Sequence, residues 1–390
     1  MSEIEPSASS KTQLRELARL FFGLGVVGFG GPAAHIAMME EEVVLKRRWL
    51  TPEEFLDLVG ATNLIPGPNS TEMTMHIGFA RAGWAGLFVA GVSFIVPAAG
   101  MTLLLAWLYV ESSTIPEVEP LLQGVPAAVL ALIFGALWRL GKKAIPSVPL
   151  AFIAGAVALL LLLGIREIPA LAIGTGVGGA LLYMFWRRDG PNGSIRGMGW
   201  PVILIMGLQA AVSATPSLAV LGLFFLKVGA VLYGSGYVLI AFLEAGIVEE
   251  YGWLTQTQLL DAIALGQLTP GPILTTSTAV GYMVRGVPGA LVATVGIFLP
   301  AFLFTGLLHP LVPRLRGHPL TASLLDAVNA SSVALMAVVT AILAIGTLTS
   351  PGQWGVALIA LGLVWSGKTN VVALVLFGAM AGWLLHVVGG

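Results

Sequence analysis

The sequence predicts an all-α polytopic membrane protein made of two inverted-topology repeats with broken or re-entrant helices. Three observations carry this expectation: an apolar composition, a self-match at one fixed offset, and a charge pattern that changes sign between the halves. Of 390 residues, 57% are hydrophobic and only 10% are Asp, Glu, Lys or Arg. Soluble domains carry roughly a quarter charged residues, so no water-facing surface can be assembled from this chain. Mean hydropathy is +0.92. The stretches 84–110, 121–138, 147–164, 199–226 and 287–308 supply the ~20 apolar residues that cross a ~30 Å hydrocarbon core. They are continuously apolar rather than alternating, which excludes a transmembrane barrel.

The self-match starts from Pro66-Gly67-Pro68, which recurs as Pro270-Gly271-Pro272, an offset of 204. At that offset Phe21 falls on Phe225, Gly25 on Gly229, Glu40 on Glu244, Trp49-Leu50-Thr51 on Trp253-Leu254-Thr255, Asp57 on Asp261, Thr71 on Thr275, Thr74 on Thr278 and Arg81 on Arg285. Pro97 then pairs with Pro300 at 203. Rare residue types holding one offset mark a duplication.

Charge next decides orientation, because Lys and Arg near helix ends favour the cytoplasm. Lys46-Arg47-Arg48 aligns with Glu250-Tyr251-Gly252, and the acidic loop from Glu111 to Glu119 aligns with the loop holding Arg314 and Arg316. Each comparison reverses sign, as an inverted repeat requires; drift in a parallel repeat is the alternative. The resulting organisation is 1–19 as a cytoplasmic N-terminal segment with an interfacial helix, 20–197 as the first transmembrane repeat, 198–218 as a connecting transmembrane helix, and 219–390 as the second repeat. Within the first repeat, 20–45 reads as a hairpin broken at Gly28-Phe29-Gly30-Gly31-Pro32 and 53–80 as one broken at Pro66-Gly67-Pro68, because Pro lacks an N–H and Gly loses most freedom in a helix. Spans follow at about 84–109, 121–140, 147–164 and 168–186, the last ending at Arg187, Arg188 and Arg196. The second repeat repeats the pattern, with spans near 287–308, 322–346, 352–366 and 370–388. The membrane is expected to be the plasma or inner membrane, crossed many times.

Non-helical backbone at membrane depth leaves N–H and C=O groups unpaired, and is tolerated where it is buried in protein or lines a wet cavity. A half-helix beginning after Pro68 aims free N–H groups and the positive end of its dipole at the break, which suits an anion. Asn69, Ser70 and Thr71 enter that half-helix; Thr275 and Thr276 do so after Pro272. Gly30, Gly31 and Pro32, with Gly234, Ser235 and Gly236, mark the other pair of breaks, read as substrate-lining or as close-packing glycine. Asn63 and Gln267 precede each Pro-Gly-Pro by three residues and either line the site or cap a carbonyl.

Ionisable groups inside apolar segments cost ~2.5–3.5 kcal/mol at the midplane and persist with a partner or a function. Glu72 and His76 are four apart on one helix face, placed to relay a proton or to pair structurally. Arg81 and Arg285 end their hairpins at the interface, with attraction of an oxyanion as the alternative. Glu40 and Glu244 read as solvated helix ends.

The net charge of 19 − 20 = −1 argues against nucleic acid. The chain has no cysteine and five dispersed histidines, without HExxH, GxSxG or Walker A spacing, so no enzyme, metal site or cofactor is expected. Transport without ATP hydrolysis by this chain is what remains.

The stretches GFGGPAAHIAMMEEEVV, FLDLVGATNLIPGPNSTEMTMHIGFARAGW, YGSGYVLIAFL and LLDAIALGQLTPGPILTTSTAVGY closely resemble the chromate ion transporter family in its two-domain, long-chain form, over nearly the whole chain from about residue 14. The resemblance implies a membrane exporter of chromate that confers resistance, with two homologous halves of opposite orientation. It also implies roles for Gly30, Gly31, Pro32, Asn63, Pro66, Gly67, Pro68, Gly234, Gly236, Gln267, Pro270, Gly271 and Pro272. Sulfate, a tetrahedral dianion of similar size, is a second candidate substrate, and a homodimer is the candidate assembly. The expected activity is secondary export of the oxyanion, proton-coupled or by exchange; an uncoupled channel-like pathway and a membrane receptor module are the competing classes.

Overall fold

The computed structural model describes residues 10–29, 31–62, 65–112, 119–187, 216–233, 236–311, 319–367 and 369–389. Residues 198–215 of the connecting helix expected at 198–218, and the charges at Arg188, Arg196, Arg314 and Arg316, lie outside them. In chain order the helices are α1 (Ser10–Val27), α2 (Gly31–Glu40), α3 (Pro52–Thr62), α4 (Asn69–Ser112), α5 (Glu119–Ala144), α6 (Val148–Leu162), α7 (Glu167–Ile173) and α8 (Gly179–Arg187). The second half contributes α9 (Leu218–Val231), α10 (Leu239–Leu243), α11 (Gln256–Leu268), α12 (Thr276–Leu308), α13 (Pro319–Thr347), α14 (Pro351–Ser366) and α15 (Val371–Gly389). π-Helical turns extend α2 through Glu41–Lys46 and α10 through Glu244–Glu250. Among the described residues there is no strand, and five helices are long and apolar enough to cross a membrane. The fold is therefore all-α and polytopic.

α1 corrects one expectation. A separate interfacial helix ending at residue 19 is not present; Ser10–Val27 is continuous. Leu17, Leu20, Phe21 and Leu24 recur at helical spacing and are all buried, so one apolar stripe runs through the expected boundary.

Duplication is visible in local geometry. A capping box opens α3, where Thr51 N–H donates to Glu54 Oε2 at 2.8 Å and Glu54 N–H donates to Thr51 Oγ1 at 3.2 Å. The same box opens α11 from Thr255 and Gln258, satisfying otherwise orphaned N–H groups. Arg48 and Gly252 are both left-handed, at φ 52° and 62°.

α4 and α12 are each two helices joined by a two-residue turn. Ala82 and Gly83 sit at φ/ψ −147/28 and 58/−147, and Arg285 and Gly286 at −144/27 and 61/−154. The limbs fold back so closely that a Cβ on Gly78 would collide with the Gly86 carbonyl, and one on Gly281 with the Gly289 carbonyl. These pairs stand at an offset of 203, whereas the turns after Pro68 and Pro272 match at 204, with Thr71 N–H bonded to Pro68 O and Thr275 N–H to Pro272 O. The lost residue therefore falls inside the first limb. Arg285 occupies the place of Ala82, which corrects the sequence pairing of Arg81 with Arg285.

The two repeats are antiparallel. The limb 84–112 lies along the limb 287–308 with Phe88 stacked on Phe302 at 5.3 Å and a Gly306 Cβ excluded by Trp84. Farther along, Thr102 meets Thr269 at 3.0 Å and the Tyr109 hydroxyl donates to Asp261 at 2.7 Å. The first limb residues are thus beside the end of α12 and the last are beside α11. At the base of the first repeat, Arg81 Nη2 donates to Glu16 Oε2 at 3.0 Å while its guanidinium lies 4.3 Å from the Trp49 ring centroid. Chain positions 16, 49 and 81 meet there, so α1–α2 and α3–α4 each leave this end and return to it. Their described breaks, at Gly28–Phe29 and at 65–68, are the far tips.

Around these hairpins α5, α13, α14 and α15 form a scaffold. Gly124 lies so close to the Gly378 carbonyl that a Cβ would collide with it, the small-residue contact that lets membrane helices pack without a hydrophobic driving force.

Candidate functional site

The tips of opposite repeats meet. Gly271 N–H donates to Gly28 O at 2.8 Å, joining the second Pro-Gly-Pro break to the first glycine-rich break. Gly271 has φ +95°, and a Cβ on it would fall 2.6 Å from Ala98 Cβ on α4. Both facts require glycine: L residues disfavour that φ, and the limb leaves no room. Gly67 has φ +147°, and a Cβ there would collide with Glu72 Oε1. The Glu72 side chain therefore folds back over the first Pro-Gly-Pro turn. Tyr233, beside the second glycine-rich break, lies within electrostatic reach of Glu72.

The half-helices entering at these tips carry buried hydroxyls. Ser70, Thr71, Thr275 and Thr276 are all buried. Their states differ. Thr275 Oγ1 donates to Pro272 O at 2.9 Å and Thr276 Oγ1 to Ile273 O at 2.8 Å, whereas Thr71 Oγ1 has no hydrogen-bond partner among the described residues. Neither Glu72 oxygen has one either, although the residue is fully buried. Asn69 is half-buried and engaged by neighbouring groups. Gln267 lies close to Tyr237, and its buried Nε2 has no hydrogen-bond partner among the described residues. Pro66, Pro68, Pro270 and Pro272 are buried in the turns, Gly31 and Pro32 open α2, and Gly236 packs on Ile273. Gly30, Asn63, Gly234 and Ser235 lie outside the described residues.

The ionisable candidates differ in their surroundings. Arg81 is held at the base by Glu16 and Trp49, and Arg285 is exposed in the turn of α12; neither side chain is at the tips. Glu72 and His76 share no hydrogen bond, because His76 Nδ1 instead meets His309 Nδ1 at 2.8 Å. Glu40 is exposed, but Glu244 is 1% exposed and bound to Gln256 Nε2 at 2.8 Å, so only Glu40 is a solvated helix end.

Sequence reading missed His35. Its Nε2 meets Gly28 O at 2.7 Å and its ring packs edge-on to Phe94 at 5.5 Å. Gly28 O thus has two partners, one from its own repeat and one from the other. The signal was present: His35 follows the glycine-rich break by one helical turn inside an apolar segment. His309, Thr102 and the Tyr109–Asp261 pair carried no such signal, since their partners are about 150 or more positions away.

Antiparallel repeats that bring broken-helix tips together within a multi-pass helical protein define the architectural class in which many secondary transporters are built. The chain belongs to the chromate transporter family, whose model matches residues 15–182 and 219–383. It is 32% identical over 327 residues to the chromate transport protein of Cupriavidus metallidurans, covering 82% of this chain and 80% of that one. It is 31% identical to the chromate transport protein of Pseudomonas aeruginosa, covering 98% and 94%. A probable chromate transport protein of Synechococcus elongatus is 29% identical, covering 95% of each. No solved structure matches the chain.

Proposed function

We propose that this protein exports chromate across the cell membrane, giving chromate resistance, and holds the oxyanion where the re-entrant tips of the two repeats meet. The carrying observation is the Gly271–Gly28 hydrogen bond, which brings breaks of opposite repeats together beside two half-helix N-termini. Free N–H groups and the helix dipole favour an anion there, and at the first Pro-Gly-Pro turn the Thr71 hydroxyl is a donor without an acceptor among the described residues. Substrate transport then follows from rocking one repeat against the other around this point.

Proton coupling is supported by charge. Glu72 has no cationic partner among the described residues, and an ionised carboxylate repels a dianion strongly at low dielectric. A proton on Glu72 and an oxyanion at the tips therefore stabilise each other, which is a reciprocal coupling. Basic residues at Lys46, Arg47 and Arg48 favour a cytoplasmic first base, with the N-terminus on that side.

The test is chromate binding by calorimetry in detergent, with sulfate as competitor, beside flux in proteoliposomes under imposed pH or sulfate gradients. Saturable chromate binding and gradient-driven flux are expected. Sulfate binding without chromate binding would reassign the substrate, and flux indifferent to both gradients would make the pathway uncoupled.

A further inference from the structure

His76 and His309 face each other across the two repeats. His76 lies in the first limb of α4 and is 0% exposed; His309 follows the end of α12 and is half-buried. Their Nδ1 atoms are 2.8 Å apart and their ring centroids 5.1 Å. Two imidazole nitrogens can approach so closely only when one carries a proton and the other offers a lone pair. The pair therefore shares one bridging proton. His76 Nε2 is buried without a hydrogen-bond partner among the described residues.

Other charged groups are few. On His76's own helix, Glu72 lies one turn closer to the tip, and Arg81 lies beyond on the other side, occupied by Glu16 and Trp49. From α12 the titratable group facing His76 is His309 itself. Phe79 covers the His309 ring at 4.5 Å and in turn packs on Trp84. The aromatic cover shields the pair on that side and leaves His309 as its more accessible member.

We propose that His76 and His309 form a proton-transfer dyad linking the base of the first repeat to Glu72. This deepens the transport reading above and rests on it. In the inward step, a proton adds to the free Nε2 lone pair of His309. The bridging proton moves from His309 Nδ1 to His76 Nδ1, and His76 gives up its Nε2 proton to the Glu72 carboxylate one helical turn away, once the Glu72 side chain swings from the Gly67 turn to reach it. One proton enters and one leaves the dyad, so charge balances; the reverse sequence returns the proton and restores both tautomers. The bridge joins residues of opposite repeats, so it breaks when they move apart, and the proton path opens and closes with the transport cycle.

The test uses the full chain in proteoliposomes with His309→Gln and His76→Asn, each checked for thermal stability. Counterflow of labelled chromate at equal pH on both sides reads substrate movement alone. Wild type should show counterflow and pH-driven flux; His309→Gln should keep counterflow and lose about tenfold or more of pH-driven flux. Unchanged pH-driven flux in a stable His309→Gln protein overturns the dyad. Absent wild-type counterflow would instead overturn the transport reading. The dyad is then read without substrate, by nitrogen NMR of labelled histidine in detergent: His309→Gln should shift the tautomer signal and titration of His76. Indifference of His76 to that substitution also overturns the proposal, including where His76→Asn fails to fold.

Discussion

Gly271 donates its backbone N–H to the carbonyl oxygen of Gly28 at 2.8 Å. The two residues are far apart in sequence and belong to different repeats. A hydrogen bond to a glycine carbonyl in a broken helix meets two needs at once: it satisfies an acceptor freed by the break, and it ties one repeat's tip to the other's. Because backbone rather than side chain makes the contact, its sequence signature is the glycine that permits it.

Gly271→Ala should therefore be severe. At φ +95° with Ala98 at 2.6 Å, the added methyl imposes backbone strain of order 1–3 kcal/mol and separates the tips. Gly67→Ala should likewise displace Glu72. Loss of chromate flux in both variants, with a lowered Tm, is the expected outcome; normal flux would show that neither tip needs glycine.

The hydroxyls should not behave alike. Thr71→Val removes a donor with no partner among the described residues, so chromate affinity should fall by about 0.5–1.5 kcal/mol with thermal stability unchanged. Thr275→Val removes the bond to Pro272 O and should lower stability as well as affinity. Calorimetry beside thermal melts separates the two. Equal effects on affinity and none on stability would indicate that Thr275 turns away from Pro272 to bind substrate.

Arg81→Gln should affect the base of the first repeat and leave binding alone. It breaks a half-exposed ion pair with Glu16 and a contact with Trp49, together worth about 1 kcal/mol. Arg285→Gln should change stability by less than about 0.5 kcal/mol, as for other exposed substitutions. A large loss of chromate affinity in a stable Arg81→Gln protein would return the arginine to the site.

Orientation can be measured because the chain contains no cysteine. Arg48 and Glu249 are exposed near the bases of opposite repeats, and single cysteines at these positions should react with an impermeant thiol reagent from opposite sides of the membrane. Labelling of both from one side would contradict the inverted arrangement.

The sequence alone determined that the chain is helical and membrane-embedded, that it is duplicated, and where its helices break. Each of these properties is local. Continuous apolar runs have the length a bilayer requires, Pro-Gly-Pro cannot continue a helix, and Trp49-Leu50-Thr51 matching Trp253-Leu254-Thr255 needs no knowledge of packing. Even the two capping boxes lie within four consecutive residues. The register of the repeat was legible only in part: a missing residue inside a helix rotates its successors by about 100°, and common Thr and Arg residues concealed where it occurred until the Gly83 and Gly286 turns showed the offset. Tertiary structure alone decided which polar groups meet. Glu72 and His76 share a helix face, yet a closer partner for His76 arrives from α12, and Arg81 is engaged by Glu16 before it can attract an anion. Such choices depend on which limbs run antiparallel at contact distance, and side chains in an apolar interior take whichever partner that packing brings within about 3 Å.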